Sequence, residues 1–195
     1  MRCLSPGEVT SLFGTEGFSI SFEHAWYRLA LRLDHSEASQ QTRIAAHQPT
    51  ELVRVPDFVR RLNRWLPSNQ ARLLWVDHWN AGAYGFEDAI VAAARVGWGE
   101  PRPIEEAPGF YFDRQNWAEE DQVQVLPSQA EAMGALVGLL SILMLTESDG
   151  WLISSECPDR IEFWEGNFFF HTKENEQLAL GRTIMDEFGC VRWSE

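Results

Sequence analysis

Hydrophobic and polar positions alternate with a period of two in several short stretches, as in strands with one buried face. The cleanest alternation covers residues 27–34, and with the stretch 18–22 it predicts a β-hairpin that turns at Glu23 and His24. A run rich in apolar residues predicts a central strand over 72–79. Further short strands are predicted over 42–46, 52–55, 109–112, 151–155, 160–164, 168–172 and 190–193.

Apolar residues three and four positions apart predict helices between these strands. The helices are expected from Ser5 to Gly14 and over 56–66, 86–96, 128–148 and 174–188. The helix that opens at Ser128 is apolar nearly all round, which indicates a buried position, and its Gly134 and Gly138 would let another element approach closely.

The order of these elements predicts one α+β domain over residues 1–195. We expect a largely antiparallel (mixed) sheet packed by about five helices. The three strands between 151 and 172 would form a C-terminal β-meander with a tight turn at Gly166-Asn167, followed by the last helix.

Composition and charge narrow the possible partners. Of the 195 residues, 45% are hydrophobic, which is typical of a globular protein. The net charge is -13, and residues 76–195 alone carry -15. Because binding to nucleic acid or to an anionic membrane requires clustered cations, neither is expected as a partner of so acidic a chain. The longest uncharged apolar stretch, 132–146, is also shorter than the ~20 residues of a membrane helix.

Cysteine and histidine spacing gives no indication of a disulfide framework, a metal site or a cofactor. The three cysteines, Cys3, Cys157 and Cys190, form no CxxC pair, which favours reduced thiols in a cytoplasmic protein. No secretory signal is visible at the N-terminus. The histidines outside the Asp77-His78 pair show no metal-ligand spacing; they are His24, His35, His47 and His171.

The stretch 100–121 combines carboxylates with aromatic rings and carries a local charge of -5. Aromatic anchors surrounded by charges are typical of protein interfaces. The residues predicted to bind a partner are Glu105, Glu106, Tyr111, Asp113, Trp117, Glu119, Glu120 and Asp121. A second acidic group on the meander would extend this surface; it consists of Glu156, Asp159, Glu162 and Glu165.

The first functional hypothesis is therefore an inhibitor that masks a basic protein partner, such as a toxin. In general profile the chain is similar to bacterial toxin-immunity and antitoxin-type inhibitors, which are small, acidic proteins without catalytic motifs. The similarity is one of composition, and no family motif accompanies it.

Two alternatives come from other features. Asp77 and His78 form an adjacent acid–imidazole pair before a glycine-rich turn, which suggests a small cytosolic hydrolase or transferase. Because neighbours on a strand point to opposite faces, such an enzyme would need a nucleophile from elsewhere in the fold. The nine tryptophans suggest an oligomeric scaffold or interaction module instead.

Overall fold

A seven-stranded antiparallel sheet forms the centre of the protein in the computed structural model, with strand order β1-β6-β5-β7-β8-β9-β4. The structure describes residues 2–13, 20–25, 28–33, 42–49, 51–66, 71–77, 102, 106–112, 127–154, 157 and 159–193. The strands are β1 (Arg2–Leu4), β2 (Ile20–Ala25), β3 (Arg28–Leu33), β4 (Thr42–His47), β5 (Arg72–Val76), β6 (Gly109–Phe112), β7 (Gly150–Ser154), β8 (Arg160–Trp164) and β9 (Asn167–Thr172). Strands β2 and β3 pair separately as a hairpin.

Four α-helices accompany the strands in the described residues, where about five were expected. They are α1 (Pro6–Phe13), α2 (Val55–Trp65), α3 (Pro127–Leu145) and α4 (Asn175–Glu187). The helix predicted over 86–96 lies outside the described residues. The α+β class, the antiparallel sheet and the C-terminal meander before a last helix are confirmed.

The larger apolar core lies on the face of the sheet that α2, α3 and α4 cover. Phe58 of α2 packs edge-on against Phe168 of β9, with ring centroids 5.0 Å apart. Trp65 packs 4.6 Å from Phe170, and its indole N–H donates to the carbonyl of Gln177. We call this side of the sheet the helix face.

A smaller apolar cluster lies on the opposite side, which we call the second face. Alternation along β5 and β7 sends Trp75 and Trp151 to this side, while their neighbours enter the larger core. Val9 and Phe13 of α1 pack here, and Phe22 of the hairpin lies 4.9 Å from the Trp75 ring.

A capping box opens the first helix. The N–H of Ser5 donates to Glu8 Oε2 over 2.7 Å, and the N–H of Glu8 donates to the Ser5 hydroxyl over 3.4 Å. Arg102 then binds the same carboxylate at 2.6 Å, which ties the first helix to the segment before β6. Hydrogen bonds from Ser5 and then from Arg102 lower the pKa of Glu8 to about 2.

Three turn or terminus predictions were wrong. Ala25 faces Arg28 in the hairpin register, so Glu23 and His24 lie within β2 rather than at the turn. Residues 52–55 are helical, because Pro56 fits the first turn of α2 and a 3₁₀ turn over Leu52–Arg54 leads into it. The tight turn after β8 is Glu165-Gly166, since Trp164 pairs with Asn167.

Two packing predictions also failed. Gly134 and Gly138 of α3 have no neighbour within 4 Å of an added Cβ, so they allow no close approach by the described residues. Residues 190–193 make only one isolated bridge, between Ala46 and Arg192, at the outer edge of β4. The close approach occurs instead at Gly150, where an added Cβ would lie 2.2 Å from the carbonyl oxygen of Trp75.

We expect Gly150→Ala to destabilise the protein by about 3 kcal/mol or more, because the new methyl group would force β5 and β7 apart. Gly134→Ala is the matched control. The added methyl group would point into open space on α3, and the substitution should raise the free energy of unfolding by up to ~1 kcal/mol. Urea unfolding measures both, and equal effects of the two substitutions would contradict the strand packing described here.

A second prediction concerns acid stability. Because the folded state lowers the pKa of Glu8 from 4.5 to about 2, its contribution is present above pH 4.5 and is lost as the pH falls towards 2. Glu8→Gln should therefore be less stable than wild type at neutral pH, and the difference should shrink over this window. Glu176→Gln controls for the loss of one surface carboxylate. A difference that stays constant down to pH 2 would refute the capping role.

Candidate functional site

The register of β7, β8 and β9 gathers polar and aromatic residues on the second face. Trp151 pairs with Glu162, Ile153 pairs with Arg160, and Arg160 pairs with His171. Side chains of directly paired residues project to the same side of a sheet. We call Trp151, Arg160, Glu162 and His171 the Arg160 cluster.

Within the Arg160 cluster, an imidazole and a carboxylate are hydrogen-bonded. His171 Nε2 lies 2.9 Å from Glu162 Oε2, and the two side chains are 12% and 26% exposed. The Trp151 ring lies beside both basic groups, 5.7 Å from the His171 ring and 5.9 Å from the Arg160 guanidinium carbon. The cluster is thus half enclosed, and it opens to solvent on the Glu162 side.

Arg160 is a buried cation with unused hydrogen-bonding capacity. It is 7% exposed, and no described residue accepts a hydrogen bond from its Nε. Burial lowers its pKa, while the charges of Glu162 and Asp159 oppose that shift. Leaving a buried polar donor unsatisfied costs about 1–3 kcal/mol, and more for a charged group.

Arg72 on the helix face shows how a buried arginine is normally satisfied. Its Nε donates to Asn63 Oδ1, one Nη donates to the Ser154 hydroxyl, and the other donates to the Leu66 carbonyl, over 2.9 to 3.2 Å. Burial lowers the pKa of Arg72 to about 10. Arg72 therefore joins α2 to β5 and β7, and its environment explains it fully as a structural residue.

A second surface lies where β8 turns into β9. Trp164 and Trp193 are each 41% exposed, and they flank the buried ring of Phe169 at centroid distances of 6.4 and 5.5 Å. Two exposed glutamates, Glu147 and Glu165, occupy the adjoining turns. We call Trp164, Trp193, Glu147 and Glu165 the acidic–aromatic end.

Hydrogen bonds hold the turn at the acidic–aromatic end in place. Asp149 accepts the Glu165 N–H at 2.9 Å, and the Asn167 amide donates to the carbonyls of Trp164 and Glu165 at 3.0 Å. The Trp193 indole donates to Asn167 in turn. Glu165 itself has a left-handed φ of 48°, which side-chain-bearing residues adopt only when their surroundings impose it.

Glu147 adopts the same unusual backbone conformation. Its φ is 52°, and its side chain packs beside Gly166 of the neighbouring turn. Within the described part of the chain, neither Glu147 nor Glu165 forms an ion pair. No described cation therefore neutralises either carboxylate, and Glu165 directly follows Trp164 in the chain.

Most residues of the predicted acidic stretch lie outside the described residues: Glu105, Asp113, Trp117, Glu119, Glu120 and Asp121. Glu106 is exposed in a turn before β6. Tyr111 packs edge-on against Phe13 at 6.1 Å, and the Arg2 guanidinium lies 4.7 Å from its ring centroid. Packing alone explains Tyr111, and its role in binding stays a prediction.

The other predicted positions are dispersed. Asp77 is buried and accepts a hydrogen bond from the Trp75 indole at 2.9 Å, while His78 lies outside the described residues. Of the second acidic group, Asp159 is buried, Glu162 binds His171, Glu165 is exposed, and Glu156 lies outside the described residues. The three described residues of this group therefore do not form one continuous exposed patch.

The cysteines fit a structural role. Burial raises the pKa of Cys157 to about 11, although the backbone N–H of Asp159 opposes the rise. Burial also raises the pKa of Cys190 to about 12. Thiols with raised pKa values are weak nucleophiles at neutral pH. All three cysteines are free.

Other kinds of site find no support in the described ranges. They contain no cluster of three metal-binding side chains, and none of their helices has the length and apolarity to cross a membrane. A shallow surface hollow beside Asn167 and Met144 is too small to enclose a ligand. Comparison with family models, curated proteins and solved structures finds no match to this chain.

The two buried arginines generate a stability prediction. Arg72→Met should cost about 3 kcal/mol or more, because it removes three hydrogen bonds and leaves buried acceptors unpaired. Arg160→Met should change stability by less than about 1 kcal/mol or should stabilise, because no hydrogen bond from its Nε is lost. Urea unfolding of both variants tests the contrast. A loss for Arg160→Met as large as that for Arg72→Met would mean that Arg160 has a structural partner.

Proposed function

We propose that this protein binds a basic protein partner and masks it, as an inhibitor of the immunity or antitoxin kind would. The observation that carries the proposal is the acidic–aromatic end, which combines two half-exposed tryptophans with two exposed carboxylates that form no ion pair with a described residue. The proposal is independent of family membership, and it rests on the chemistry of this surface and on net charge.

Trp164 and Trp193 have the properties of anchor residues. Tryptophan is enriched among the few residues that dominate binding energy, because it buries a large area and has few side-chain torsions to order. Phe169 supports both rings from beneath, and the Asn167 hydrogen bond orients Trp193 before any partner arrives. Such preorganisation lowers the entropy lost on binding.

The charge of the protein favours a cationic partner. Glu147 and Glu165 lie beside the exposed rings without a neutralising cation among the described residues. The net charge of -13 adds a long-range field, and complementary charges raise association rates by ~10–10³-fold at low salt. A partner rich in arginine and lysine would associate faster in this field and would form ion pairs with the two glutamates.

The test begins with capture of partners from the source cells on immobilised protein. The captured protein is then purified, and its affinity is measured for each variant. Trp164→Ala with Glu165→Lys should weaken binding about thirtyfold or more, as expected for loss of an anchor worth about 2 kcal/mol together with a charge reversal. The association rate of the wild type should also fall as salt is added.

Two further double variants make the measurement specific. Leu180→Ala with Glu176→Lys removes an exposed apolar residue and reverses a charge on α4, and it should leave the affinity unchanged. Trp117→Ala with Glu119→Lys tests the stretch predicted from sequence, and it should weaken binding without unfolding the protein. Full affinity in both the Trp164 and the Trp117 variants would refute the proposal, as would a partner that is not basic.

A further inference from the structure

We propose that the Arg160 cluster is a binding site for an oxyanion, that is, for the carboxylate or phosphate group of a ligand. This inference goes beyond the proposed function, because it concerns the second face of the sheet and does not depend on a protein partner. The residues that carry it are Arg160, its strand neighbours and the Trp151 ring.

The first argument is the unused donor of Arg160. The side chain is more than nine-tenths buried, and no described residue accepts a hydrogen bond from Nε. Arg72 in the same sheet uses all of its nitrogens. A buried Nε–H without an acceptor among the described residues is available to one that arrives with a ligand.

The nearest carboxylates are directed elsewhere. Asp159 immediately precedes β8; its side chain contacts the Cys157 thiol, and its N–H donates to the same sulfur. Glu162 lies on the same side of the sheet as Arg160, but its Oε2 is hydrogen-bonded to His171. Both acids influence Arg160 only through their charge, and neither forms an ion pair with it.

The surroundings favour an oxyanion over other ligands. Arg160 pairs with His171 in the register of β8 and β9, so a guanidinium and an imidazole lie side by side on the second face. A guanidinium presents parallel N–H donors that match the two oxygens of a carboxylate or phosphate. The Trp151 ring provides an apolar wall beside the guanidinium, where a bound anion would be shielded from water.

The experiment uses sodium phosphate and sodium acetate as probes, with sodium chloride at matched ionic strength as the reference. Thermal unfolding and the arginine Nε–H signals in ¹H–¹⁵N spectra are followed for the full chain. We expect one or both oxyanions to raise the melting temperature and to shift one Nε–H signal, which Arg160→Lys would remove. Arg160→Met should weaken the affinity about tenfold or more, as expected for loss of a charged hydrogen-bond donor.

Arg60→Met is the matched control, because Arg60 is an exposed arginine on α2 that pairs with Asp57. It should retain the full response. A response to phosphate alone would assign a phosphorylated ligand, and a response to both probes would assign a carboxylate site. The proposal is overturned if neither oxyanion exceeds chloride, or if Arg160→Met and Arg60→Met respond alike. If Arg160→Met does not fold, the Nε–H shift in the wild type decides the question.

Discussion

The antiparallel register of β7, β8 and β9 is the constraint on which both functional surfaces depend. Successive side chains on a strand point to opposite faces, so a shift of one residue would exchange every inward and outward position. The observed register places Phe168 and Phe170 in the helix-face core. It thereby places Arg160 and His171 on the second face, away from α2, α3 and α4.

Different interactions stabilise the two faces of the meander formed by β7, β8 and β9. Aromatic packing stabilises the helix face, where Trp65, Phe58 and the strand phenylalanines form one core. On the second face, apolar packing extends as far as Trp151 and Ile153 and then gives way to the Arg160 cluster. Beyond it, the turn braced by Asp149 and Asn167 presents Trp164. Both proposed binding surfaces thus lie beyond the edge of the second apolar cluster.

Sequence alone predicted the strands of the meander to within one residue at each end, because their alternation and turn residues are local signals. The predicted position of the turn was wrong, because Gly166-Asn167 resembles a typical pair of turn residues. In the structure Asn167 belongs to β9, and its side-chain amide donates to the carbonyls of the turn. Sequence alone also missed the Arg160 cluster. Asp159 and Glu162 flank Arg160 in sequence and suggest ready partners, and only strand pairing reveals that neither is one.

The most direct test of this account is the pairing of the meander strands by interstrand nuclear Overhauser effects between backbone protons. The account requires contacts that pair Trp151 with Glu162, Glu162 with Phe169, and Arg160 with His171. Observation of these pairs would establish that Trp151, Arg160, Glu162 and His171 share the second face. Contacts displaced by one residue, such as Leu152 with Glu162, would move Arg160 to the helix face and contradict both proposed surfaces.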